Sequence, residues 1–93
     1  MIEVVIKKDG REEPFNEEKI KNAVKAAALE AGLDEEKQIE LSEAVVKNIE
    51  ESFSSQNTIK SIELREKVLS QLDLLSPDTA QSWRDYEIAH KNQ

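Results

Sequence analysis

The chain has 93 residues, 38% apolar and 35% charged, with a formal net charge of −7. That length suits one small domain spanning residues 1–93 and is short for a self-contained enzyme. With no cysteine and a single histidine, His90, it has no disulfides, no thiolate metal site, no thiol nucleophile and no imidazole cluster for zinc. No run of about 18 apolar residues suggests a membrane span, and no charged–apolar–small leader suggests export, so a cytoplasmic protein is expected.

The opening "IEVVIKK" is rich in β-branched residues and alternates loosely, with Ile2, Val4 and Ile6 on one face, which predicts a strand. Asp9-Gly10 is a two-residue hairpin signal, because a type I′ turn needs positive φ at both central positions. "REEPF" is then the returning strand, and Pro14 marks it as an edge. A two-residue turn pairs Lys8 with Arg11, Ile6 with Glu13 and Val4 with Phe15, all on one face.

Asn16 is a good N-cap, and Glu17 and Glu18 suit the start of a first helix that Gly32 ends. Its apolar stripe is Ile20, Ala23, Val24, Ala27 and Ala31. Asp34 caps a second helix reaching about Phe53, with Ile39, Val45, Val46, Ile49 and Phe53 expected to be buried. After the polar break "SFSSQN", Thr58–Lys60 reads as a short third strand. Ser61 is expected to cap a third helix carrying Leu64, Val68, Leu69 and Leu72. Ser76-Pro77 opens a fourth with Ala80, Trp83 and Tyr86. The whole is α+β: a small three-stranded sheet, hairpin plus one strand, laid on a four-helix bundle.

Net acidity argues against general binding of DNA or RNA, where phosphate neutralisation supplies most of the affinity. Residues 7–25 depart from that average, with six basic and five acidic side chains against seven and fifteen elsewhere. This end of the chain suits a small anion, although solvated lysines guarding a sheet edge explain the same charges. There is no glycine-rich phosphate loop and no arrangement of base and nucleophile around His90, so catalysis is not expected. The acidic runs sit at helix-surface spacing and read as solvated faces rather than metal sites.

The stretch "VVIKKDGREEPFNEEKIKNAV" resembles the opening signature of the ATP-cone domain: a hydrophobic strand, a Lys-Asp-Gly turn, a Glu-x-Phe-Asn type segment, then Lys-Ile. "SIELREKVLSQL" looks like that family's third helix, and "AQSWRDYEIAH" is similar to its closing one, in family order. The resemblance implies an allosteric domain that senses ATP against dATP, with or without magnesium. Such domains sit on ribonucleotide reductases or in the repressor of their genes. The implied fold is a small mixed sheet covering four helices.

Matched position by position, the resemblance assigns Val5, Lys7 and Lys8 to the strand beside the nucleotide, the lysines facing phosphates. Glu13, Asn16, Lys19 and Ile20 correspond to residues around adenine and ribose, and Ser61 and Arg65 to a pair near sugar and phosphates. The late basic residue of the last helix corresponds to Lys91, with His90 as the alternative. Many members carry arginine where Lys8 stands, so a bidentate phosphate contact there is not implied. Partners on this reading are an adenine nucleotide and a reductase or regulator chain, or further copies of itself. An acidic helical adapter that binds a partner protein without nucleotide is the alternative.

Overall fold

The computed structural model describes residues 1–91, the Lys91 side chain excepted. Its first element is the expected hairpin, β1 (Val4–Ile6) antiparallel to β2 (Glu12–Pro14). The connection, however, is longer than expected. Lys7 N–H donates to the Arg11 carbonyl at 2.8 Å and Gly10 N–H to the Lys7 carbonyl at 3.0 Å, so Lys8, Asp9 and Gly10 form the loop. Of these, Gly10 alone has positive φ, at 88°, which excludes type I′ and fits a type I turn closed by a glycine bulge. The register moves accordingly. Val5 lies opposite Glu13 and Ile6 opposite Glu12, in place of the expected Ile6–Glu13 and Val4–Phe15 pairs.

β3 (Thr58–Lys60) adds to β1 in parallel, giving the mixed order β2-β1-β3 with Val5 beside Ile59. Ile2, Val5 and Ile59 are buried, whereas Val4 and Ile6, expected on the core face, are half-buried. The cause lies just before β1, where the N–H groups of Glu3 and Val4 both donate to the Asn57 carbonyl. Two residues set against one make a bulge, and it reverses the alternation between Ile2 and Val5.

Asn16 caps α1 (Glu17–Glu30), its Oδ1 accepting from the Glu18 N–H at 3.0 Å. At the other end Gly32 N–H donates to Leu29 and Leu33 N–H to Ala28, a Schellman closure for which Gly32 takes φ 88°. The buried stripe is Ile20, Val24, Ala27 and Ala28, while Ala23 is exposed. Asp34 caps α2 (Glu35–Ser52), whose stripe runs through Leu41, Val45, Val46 and Ile49. Ile39, expected inside, falls off that stripe and is 39% exposed.

β3 runs directly into α3 (Ser61–Leu75), so Lys60 holds the cap position and Ser61, expected as the cap, is the first helical residue. Ser76 precedes α4 (Pro77–Lys91), with its Oγ 2.7 Å from Thr79 Oγ1. Ala80 of α4 is buried, but Tyr86, on the same expected stripe, is 63% exposed and stacks on His90. α1 and α3 each pack against both α2 and α4, so the helices form a ring in chain order. Val24, Val45, Ile49 and Leu72 fill it and join Val5 and Ile59 of the sheet in one core. Each such side chain contributes roughly 1.5–3 kcal/mol by leaving water.

Candidate functional site

Where the hairpin meets the first turns of α1 and α3, a cleft of about 220 Å³ opens. Eight of the residues singled out in the sequence line it: Val5, Lys7, Glu13, Asn16, Lys19, Ile20, Ser61 and Arg65. They come from four elements, from Lys7 just past β1 and from the Asn16 cap, and the parallel strand β3 delivers the start of α3 to the cleft. Phe15, Leu64, Val68 and Trp83 add an apolar wall. Lys8 stands exposed in the hairpin loop, outside the lining. Lys91 closes α4, and its side chain lies outside the described residues.

The longer loop decides where Lys7 points. It shares a sheet face with Val5, and its Nζ lies 3.5 Å from Glu13 Oε2, diagonally across the hairpin. Arg11 is turned elsewhere, with its Nε held by Asp9 at 2.8 Å. The positive end of α1 offers fewer donors than its sequence suggests. Glu18 N–H is taken by Asn16 Oδ1, and Lys19 N–H by the Asn16 carbonyl at 3.2 Å. Asn16 keeps its side-chain NH₂, which makes no hydrogen bond among the described residues. Glu17 and Glu18 oppose an anion at this end, but Lys21 lies 3.9 and 3.8 Å from them and offsets part of that charge.

Arg65 is the cation most firmly committed. Its Nε and one terminal nitrogen donate to the two carboxylate oxygens of Glu87 on α4, both at 2.6 Å. These bonds raise the Arg65 pKa further and hold the Glu87 carboxyl below the usual carboxylate range. The neighbouring Trp83 N–H also favours ionised Glu87 without meeting hydrogen-bond geometry, and its buried Nε1 has no partner among the described residues. Nothing in the sequence points to Glu87, and Phe15, Leu64 and Trp83 are placed by it only in strand or helix, not in the site. Trp83 and Glu87 share one helix face at i, i+4, but Arg65 is 22 residues away from its partner and no spacing announces the pair.

A larger groove of about 460 Å³ runs between α1 and α4, lined by Ala23, Ala26, Leu29, Trp83 and Tyr86. Its charged lining residues are Glu30 and Glu87, so it repels anions. An adenine nucleotide needs an apolar wall for its base and cations for its phosphates, and of these two the smaller cleft has both. A family model for the ATP cone domain matches residues 3–92.

The chain belongs to the ATP-cone family. ATP cones bind ATP or dATP as allosteric effectors and are regulatory rather than catalytic. A comparison with curated proteins gives no match for this cone. No helix among its described residues is long and apolar enough to cross a membrane.

Proposed function

We propose that this cone holds ATP or dATP in the cleft between the hairpin, α1 and α3. Through it, a cytoplasmic ribonucleotide reductase, a regulator of reductase genes or the cone's own assembly is controlled. The observation that carries this reading is the convergence of Lys7, Lys19 and Arg65 on one apolar-walled cleft. Val5, Phe15 and Ile20 receive the base, and the Asn16 NH₂ donates to a ring nitrogen or ribose oxygen. Glu13 and Ser61 meet the sugar hydroxyls. Lys7, Lys19 and Arg65 meet phosphates, and Lys8 and Lys91 add outer positive charge.

At about 220 Å³ the cleft is below the roughly 300 Å³ at which drug-sized ligands are enclosed, so part of the nucleotide lies across the open rim. Among the described residues no three His, Asp or Glu side chains converge on a metal site. On this reading magnesium arrives with the triphosphate, whose oxygens supply most of its ligands. ATP and dATP differ by one hydroxyl, so discrimination rests on a local contact that shifts a population between states.

The second reading, a helical adapter that needs no nucleotide, is favoured by the apolar α1–α4 groove with its exposed Leu29 and Tyr86. Calorimetric titration with ATP, dATP and GTP, with and without magnesium, separates the two. Saturable binding of the adenine nucleotides supports the cone reading, and no heat up to millimolar concentration leaves the adapter.

A further inference from the structure

Three observations around one side chain remain unused by the nucleotide reading. The cleft's Arg65 is held by Glu87, a carboxylate that belongs to a different helix, through two bonds of 2.6 Å. A second bidentate pair, Arg84 of α4 on Asp73 of α3, ties the same two helices in the opposite sense at 2.9 and 2.8 Å. One helical turn before Glu87, the buried Trp83 N–H has no hydrogen-bond partner among the described residues. Orphaned buried donors are rare, and each calls for an explanation.

Resting on that nucleotide reading, we propose that Glu87 is an internal competitor for the phosphates. It occupies Arg65 in the empty cleft, yields it to a bound phosphate, and turns to the Trp83 N–H. A guanidinium gripped by a carboxylate has its charge cancelled and its planar fork filled, so an approaching phosphate meets Glu87 as a rival anion. Phosphate offers the fork the same planar, bidentate contact with more negative charge, and so can displace the carboxylate. The released Glu87 need not stay unpaired, because residues at i and i+4 on a helix are neighbours and Trp83 stands at that spacing. The Arg84–Asp73 pair is untouched by the exchange and keeps α4 docked on α3. Occupancy of the cleft is thereby converted into a changed contact on α4, the helix that also walls the apolar groove.

The proposal separates from general electrostatics by a matched control. Glu87→Gln removes the competitor's charge, and Asp85→Asn makes the same charge change two residues away at a side chain that bonds Gln81. ATP titrated into the intact chain should bind E87Q about tenfold tighter than the parent, with D85N within twofold of it. Inorganic triphosphate, which has no aromatic ring, should move the Trp83 Nε1 proton resonance downfield in the parent and leave it in place in Glu87→Ala. Thermal melts establish that each variant is folded. If the parent binds ATP but E87Q binds it no tighter, or D85N gains as much, the competitor role is wrong and the nucleotide site stands. A triphosphate-independent Trp83 resonance in the parent overturns the exchange step. If neither parent nor variants bind ATP, the nucleotide reading falls and this inference with it.

Discussion

Lys7 and Glu13 meet diagonally across the hairpin, with Nζ 3.5 Å from Oε2, and both line the cleft. The contact exists because the loop holds three residues rather than two, which sets Lys7 opposite Arg11 and diagonal to Glu13 and leaves Lys8 in the loop. The two adjacent lysines are therefore unequal. Lys7→Ala should weaken ATP binding by roughly ten- to a hundredfold, in line with the ~1.5–3 kcal/mol of a hydrogen bond to a charged group, whereas Lys8→Ala should cost less than about threefold. Folding stability should change by no more than about 1 kcal/mol in either, since half-exposed ion pairs contribute little. Parallel ATP titrations and urea melts check both halves of the statement.

Gly10 takes φ 88°, and a β-carbon added there would meet nothing within 4 Å, so its requirement is conformational and not steric crowding. Gly10→Ala should destabilise the domain by about 1 kcal/mol, the cost of the left-handed region to an alanine. ATP affinity should fall with it, because the same loop sets the position of Lys7. Denaturant midpoints and nucleotide titration on the one variant read both effects.

Ile49 and Leu72 are fully buried on α2 and α3 and belong to the same core. Truncating either to alanine should cost about 2–5 kcal/mol. Against a stability of roughly 5–15 kcal/mol for a domain this small, that is a large fraction. Chemical denaturation of the two variants gives the numbers directly.

Two sets of carboxyls set opposite pH dependences. Arg84 hydrogen-bonds Asp73 and Arg65 hydrogen-bonds Glu87, and both carboxyls are thereby held below their ordinary pKa values. A depressed folded-state pKa adds stability above the unfolded value and loses it as pH falls through the folded one, so both pairs weaken on acidification. Glu50 behaves in reverse. Hydrogen bonding to Glu17, followed by desolvation and the charge of Glu17, raises its pKa above the ordinary value of 4.5. Its favourable contribution is present below that value and disappears as pH rises through the folded pKa. Glu50→Gln should therefore stabilise the cone slightly at pH 7, by well under about 1 kcal/mol once solvent screening is counted. That gain should vanish near pH 4. Melting temperatures of parent and variant across this range provide the test.

The order of the elements was legible because each boundary carries local chemistry: Asn16, Asp34 and Ser76 at helix starts, Gly32 at an end, a β-branched run at the first strand. The mixed sheet came only with the family resemblance, and the closing of the four helices into a ring was not read at all. What escaped the reading depends on contacts between distant segments. The bulge formed by Glu3 and Val4 on Asn57 reversed the face of β1, and nothing near Ile2 encodes it. Ile39 has the apolarity of a core residue, but the packing of α2 on α1 and α3 fixed the stripe on Leu41 instead. The cleft's lining was largely within reach through its signature residues. Glu87 was not, since its importance comes only from Arg65 on another helix.

The central claim is tested most directly by mapping ATP onto the ¹⁵N-labelled chain by nuclear magnetic resonance. Binding in the cleft predicts saturable shifts at Val5, Lys7, Asn16, Lys19, Ser61, Arg65 and the Trp83 side chain, with residues of the α2 outer face, such as Glu43 and Lys47, unmoved. Shifts confined to Ala26, Leu29 and Tyr86 along the α1–α4 groove, or none at millimolar ATP, would contradict it.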